Sequence, residues 1–229
     1  MVKQRRIGCA VAWGLLLAGP AWAQAGEQAR VEDAATVFTE IMTAPDSGIP
    51  KAVLDQTEAV AIFPGVIRAG FAVGGQWGRG VICVRDRDAK TWSAPAFLTI
   101  AGGSFGAQIG AQSIDLVLLI MDREGVQRLL GNQFKIGGEA SAAAGPVGRS
   151  AEAATDVQLR AKILSYSRSR GLFAGVAVDG SSLASDRDAN ARLYGERAGS
   201  REVVDKASKR EDLPASVKRL RKVLADWVG

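Results

Sequence analysis

Between Ala59 and Gly175 glycine recurs inside apolar runs as well as between them, and no other feature constrains the fold of this chain so strongly. Six runs of strand length, Ala59 to Phe63, Gly70 to Gly75, Gly80 to Val84, Trp92 to Ala101, Phe105 to Gln112 and Ile114 to Met121, follow one another with only short links. The D-R-D-A-K stretch from Asp86 to Lys90 reads as a hairpin turn between the third and fourth runs. Links this short imply antiparallel pairing, because parallel neighbours need a long crossover. Glycine within a strand costs entropy and marks a bulge, a bend or a close backbone approach, and Gly106, Gly110, Gly171 and Gly175 are spaced that way. Strongly curved sheets depend on such devices. The expected fold class is therefore α+β: a curved antiparallel, barrel-like β-sheet covered by a few α-helices.

Helical periodicity brackets the strand region. Val31, Ala34, Ala35, Phe38, Ile41 and Met42 define an N-terminal amphipathic helix that ends near Pro45 to Gly48, and Pro50 opens a short second one. Arg123 to Leu130 supplies a helix with Val126, Leu129 and Leu130 inward, and another starts at Ser185, with Asp188 at capping-box spacing. From Pro214 onward Val217, Leu220, Val223, Leu224, Trp227 and Val228 share one arc, with Lys218, Arg219, Arg221 and Lys222 opposite. Two readings fit this C-terminal amphipathic helix. It lies on an anionic membrane surface, or it covers its own domain.

The first residues, M-V-K-Q-R-R, precede an apolar run from Ile7 to Ala18 and small residues at Ala21 and Ala23. That pattern reads as a secretory signal over residues 1–23, with cleavage before Gln24 and a periplasmic or otherwise exported protein peripheral to a membrane. The domain is then 24–195, and 196–229 is a charged linker followed by the C-terminal helix. Loss of Lys3, Arg5 and Arg6 lowers the formal charge from +5 to +2, too little for nucleic-acid binding by bulk charge. Cys83 is the one cysteine left; in V-I-C-V it reads as a small core residue with no disulfide to form.

The chain contains no histidine. Gly102-Gly103-Ser104-Phe105-Gly106 matches a nucleophile elbow in letters, but no imidazole exists to take the serine proton. Asp186, Asp188 and Asn190 open like a calcium loop, yet Ala191 and Arg197 stand where glycine and glutamate belong. Asp115, at the head of an apolar run, reads as a structural aspartate with Arg68 or Arg149 as partner. No catalytic residue, metal ligand or cofactor is expected.

Binding chemistry is suggested by Arg160 to Arg170. If this is a strand, Arg160, Lys162, Tyr166, Arg168 and Arg170 share one face with Leu164. Such a face either attracts phosphates or protects an edge strand from unwanted pairing. The segment S-Y-S-R-S-R-G-L-F-A-G-V-A-V-D-G that contains it resembles the SYLF-domain family. V-A-I-F-P-G-V-I-R-A-G-F-A-V-G-G (Val60 to Gly75), Trp92 to Pro95, G-G-S-F-G-A-Q-I-G-A-Q-S-I-D (Gly102 to Asp115), Gly137 to Arg149 and N-A-R-L-Y-G (Asn190 to Gly195) carry the same likeness, from about Val31 to Gly195.

The resemblance implies a mixed helix and sheet domain that binds acidic phospholipids, phosphoinositides among the actin-associated eukaryotic members, and here a bacterial exported member. The acidic stretch from Gln24 to Asp33 lacks the basic N-terminal character used for phosphoinositides, so the expectation is for anionic lipid headgroups in general. Arg160, Lys162, Arg168 and Arg170, with Arg149 and Arg79, are the expected contacts, and Tyr166 sits at the interfacial level. The alternative is an envelope protein that docks a partner through its C-terminal helix.

Overall fold

The computed structural model describes residues 21–44, 48–71, 73–105, 110–131, 133–147, 161–169, 172–195 and 197–228. Most of the expected signal, residues 1–20, and the candidate residues Arg149, Arg160 and Arg170 lie outside the described residues. The strands are β1 (Ala59–Phe71), β2 (Val73–Asp86), β3 (Thr91–Trp92), β4 (Ala96–Phe105), β5 (Gly110–Ile120), β6 (Gln133–Lys135), β7 (Ala142–Ala144), β8 (Ile163–Ser169), β9 (Leu172–Gly175) and β10 (Ser181–Ser185). They form one strongly curled half-barrel in the order β6-β10-β4-β2-β1-β5-β8-β7, with β3 on β2 and β9 on β8. Pairing is antiparallel except for β7 on β8.

Two of the sequence runs merge and one splits. The first three runs expected from glycine spacing become two long strands, β1 and β2, in which Phe71 pairs with Val73. Trp92 to Ala101 instead breaks at Ser93 to Pro95, so β3 ends the hairpin and β4 begins a new strand. The turn itself is as expected: Asp86 Oδ1 accepts from the Asp88 and Ala89 amides.

A bulge divides β1 into two environments. Its pairing with β5 shifts register between Phe63 and Val66, at Pro64 and Gly65, where proline and left-handed glycine are tolerated. Before the bulge Ala59 to Phe63 are all buried, so both faces of the sheet are covered there. Beyond it the faces separate: Ile67 and Ala69 are exposed, while Arg68 on the other face is half-buried.

Helices α1 (Ala21–Met42), α2 (Lys51–Gln56), α3 (Arg123–Leu129), α4 (Arg187–Tyr194), α5 (Ser200–Lys206) and α6 (Ala215–Trp227) are the six described. α1 lies across β1 and β2, and α6 lies along α1. Val217, Leu220, Leu224 and Val228 of the α6 segment are buried in the same core as Val31, Ala34, Phe38 and Ile41 of α1. Of the two readings of the C-terminal helix, packing on its own domain is the one realised. The helix expected at Ser185 is capped one residue later, where Asp186 Oδ1 accepts from the Ala189 amide, so the calcium-like spacing serves as a cap. Cys83 is buried, as expected. Among the described residues no helix is long and apolar enough to cross a membrane, and no cluster suits a metal ion.

Candidate functional site

The segment singled out in the sequence folds as β8, but not as an edge. It pairs with β5 along one edge and with β7 and β9 along the other, so both edges are taken. Ile163, Leu164, Ser165 and Tyr166 are all buried. Tyr166, expected at an interfacial level, is 0% exposed: its ring stacks on Phe173 at 5.4 Å, and its hydroxyl has no hydrogen-bond partner among the described residues.

The two described cations of this strand are held by acids. Lys162 Nζ lies 2.8 Å from Glu124 and 3.2 Å from Asp122 at the start of α3. Hydrogen bonds from Lys162 and Arg128 hold the Glu124 carboxyl below its ordinary range. Arg168 contacts Asp115 at 2.9 Å and Glu40 of α1 at 2.5 Å. Asp115 and Arg168 face one another in the β5–β8 register, and Asp115 Oδ1 also accepts from the Gly65 amide at the β1 bulge. Asp115 is thus paired as expected, with Arg168 in place of Arg68; periodicity within each strand could not show which strands become neighbours. Lys162 and Arg168 serve as staples between elements, and the expected row of accessible cations is not formed by them.

Arg79 is placed differently. It is exposed on β2, its guanidinium lies 5.2 Å from the Trp77 ring centroid, and no carboxylate contacts it among the described residues. Trp77 is 48% exposed and pairs across the strands with Ile67, which is 51% exposed. Ala69, Gly75 and Ala101 continue this face with little side chain. Beside it lies a shallow depression of about 410 Å³, lined by Arg79, Thr99, Asp186, Arg187, Arg192 and Arg197 among others. Arg192 is paired with Glu27 and Arg197 with Asp188. The site therefore combines two large exposed apolar side chains, one uncommitted guanidinium and a surround of further arginines. Trp77 and Ile67 were missed in the sequence; their signal is alternation, which puts them on the face opposite Arg68 and Gln76 and puts Trp77 on the same face as Arg79.

Burial makes a separate electrostatic statement. The chain has two tyrosines, Tyr166 and Tyr194, and burial pushes both hydroxyls above the ordinary tyrosine value; the Cys83 thiol is pushed up to about 12. In the unfolded chain the tyrosines ionise near pH ~10 and the thiol near ~8.5, whereas the native state retains these protons. Stability from these groups is full below those values and is lost as pH rises through them. Tyrosinate absorbance is expected to appear in one cooperative step coincident with loss of the circular dichroism signal. A gradual rise in the still-folded protein would contradict the burial of these rings.

The curled sheet, its covering helices and a bulge tied down by an aspartate define a half-barrel α+β domain. A family model described as Ysc84, Las17-binding protein actin regulator, matches residues 101–227. Protein YSC84 of Saccharomyces cerevisiae is 37% identical over 184 residues, covering 78% of this chain and 38% of its own length. The SH3 domain-containing YSC84-like protein 1 of Homo sapiens is 38% identical over 160 residues, 69% of this chain and 46% of its own. LAS seventeen-binding protein 3 of Saccharomyces cerevisiae is 37% identical over 164 residues, 69% of this chain and 35% of its own.

The chain belongs to the Ysc84 family, whose shared unit is the SYLF domain. It spans less than half the length of these relatives. The family match also extends past Gly195, where the resemblance read from the sequence stops, and takes in α5 and α6.

Proposed function

We propose that this chain is a non-enzymatic, exported protein that binds anionic phospholipid at a membrane surface, through the corner of the sheet formed by Ile67, Trp77 and Arg79. The observation that carries the reading is the Trp77–Arg79 pair: an exposed indole on a paired strand with a guanidinium over its ring that no acid neutralises among the described residues. Tryptophan suits the interfacial depth of a bilayer, because its ring is apolar and its N–H seeks a polar partner. Each arginine close to an anionic leaflet adds about 1 kcal/mol. The binding of acidic phospholipids that the resemblance to the SYLF-domain family implies supports the same reading. The apolar face of α6 is used up against α1, which removes the basis for partner docking through that face. Partner binding of the kind named in the family description would have to use another surface.

Co-sedimentation with phosphatidylglycerol-containing vesicles tests this. Binding is expected there and not on phosphatidylcholine vesicles, and joint Trp77→Ala and Arg79→Ala substitution is expected to weaken it about tenfold or more, given one guanidinium and one indole lost. Trp227→Ala, which alters an exposed tryptophan at the end of α6, is the matched control. Equal binding to both vesicle types, or full binding by the double variant, overturns the proposal.

A further inference from the structure

On the face of the sheet opposite Trp77 a polar line crosses five strands. In register, Gln112 of β5 stands beside Arg68 of β1, then Gln76 of β2, Gly102 of β4 and Ser181 of β10. Arg68 Nε donates to Gln76 Oε1 at 2.8 Å, and Gln76 Nε2 donates to Ser181 Oγ. Gly102 lies between those two in the line and makes the reach possible. A Cβ there would sit 2.7 Å from Ser181 Cα and 2.9 Å from its Oγ, in the space the Gln76 amide crosses.

The relay has a direction, and the direction decides what remains available. Gln76 accepts from Arg68 and Ser181 accepts from Gln76, so the hydrogen-bonding capacity left at the accessible end of the relay is donors, the Arg68 Nη groups. Gln76 and Ser181 are buried and cannot swing away, which fixes Arg68 by its Nε and presents its fork. No carboxylate contacts Arg68 among the described residues. Burial, with no neighbouring acid to offset it, holds the Arg68 guanidinium below the usual arginine value. A half-buried cation kept without a counter-ion is costly, and an oxyanion is the group that would relieve it.

We propose that Arg68, held in place by the buried Gln76 and Ser181, binds a phosphate-type oxyanion through its free guanidinium edge, on the face of the sheet opposite the Trp77–Arg79 corner. The site is separate from the membrane contact described above. Its ligand is either free phosphate or the phosphate of a lipid headgroup, since both offer the same tetrahedral oxygens to the arginine fork.

The test titrates the full chain with inorganic phosphate against chloride at equal ionic strength, following the Arg68 Nε–H resonance and the thermal midpoint. Phosphate is expected to shift that resonance and raise the midpoint of the native protein. Arg68→Met is expected to abolish the phosphate-dependent rise in midpoint. Should that variant fail to fold, Arg68→Lys, which keeps the charge but loses the fork, is expected to bind phosphate about tenfold more weakly. A second arm uses a soluble short-chain phosphatidate: a response there alone assigns the site to a headgroup, and an equal response in both arms assigns it to free phosphate. An unmoved Arg68 resonance in both arms, or a phosphate response retained at full strength by the Arg68 variants, overturns the proposal. Trp77→Ala with Arg79→Ala is expected to leave the phosphate response intact, so this site and the membrane contact stand or fall separately.

Discussion

Gly80→Ala is expected to destabilise the protein by about 3 kcal/mol, at the upper end of what overpacking a core costs. A Cβ at Gly80 would lie 2.2 Å from the Ile62 carbonyl oxygen and 2.5 Å from Cδ1 of Phe63, a fully buried ring. Neither neighbour can yield easily, because Ile62 is paired with Val81 in the sheet and Phe63 borders the β1 bulge. Gly78, on the same face of β2, meets Val66 in the same way, with 2.8 Å left to its Cγ2. The two glycines are the recess into which the bulged part of β1 sinks, and the curl of the sheet depends on that fit. For a domain of this size the loss corresponds to a fall of about 6–12 °C in Tm. The matched control is Gly26→Ala, on exposed turns of α1 with nothing within 4 Å, which is expected to raise stability by about 0.5–1 kcal/mol. Equal midpoints for the two variants would show that the glycine spacing is incidental to the fold.

Those glycines also show what could be read from the sequence. Glycine within apolar runs announced close backbone approach, and Gly80, Gly102, Gly145 and Gly175 each have less than 3 Å of room for a side chain. Curvature was therefore legible, as were the Asp86 turn, the helix at Arg123 and the burial of Cys83. Strand partners were not. Nothing in the order of residues says that β5 lies between β1 and β8, and that adjacency is what gives Asp115 to Arg168. Within Ile163–Ser169, the described strand of the segment, alternation places Leu164, Tyr166 and Arg168 on one face. It could not reveal that both faces of the strand's first half are buried, since a basic residue at a strand end and a buried one at its centre share the same period.

The placement of Tyr166 leads to two opposite effects at one position. Tyr166→Ala is expected to cost about 3–5 kcal/mol, because it empties a fully enclosed aromatic site. The ring is stacked on Phe173, and on its other side Gly145 comes so close that a Cβ there would fall within 2.0 Å of the ring's Cζ. Collapse of the strands onto the void is limited, since the backbones are already so close that a Cβ at Gly175 would lie 2.2 Å from the Gly145 carbonyl oxygen. Tyr166→Phe keeps the ring and removes a buried hydroxyl without a partner, so it is expected to gain about 1 kcal/mol. Membrane binding separates this from the role first expected of the residue: a tyrosine at the bilayer interface would lose affinity on conversion to phenylalanine, whereas a core tyrosine would not. Chemical denaturation paired with vesicle co-sedimentation of Tyr166→Phe decides between them. Higher stability with unchanged vesicle binding is the expected pair of results, and a drop in binding by a variant that is folded and stable would return Tyr166 to the membrane surface.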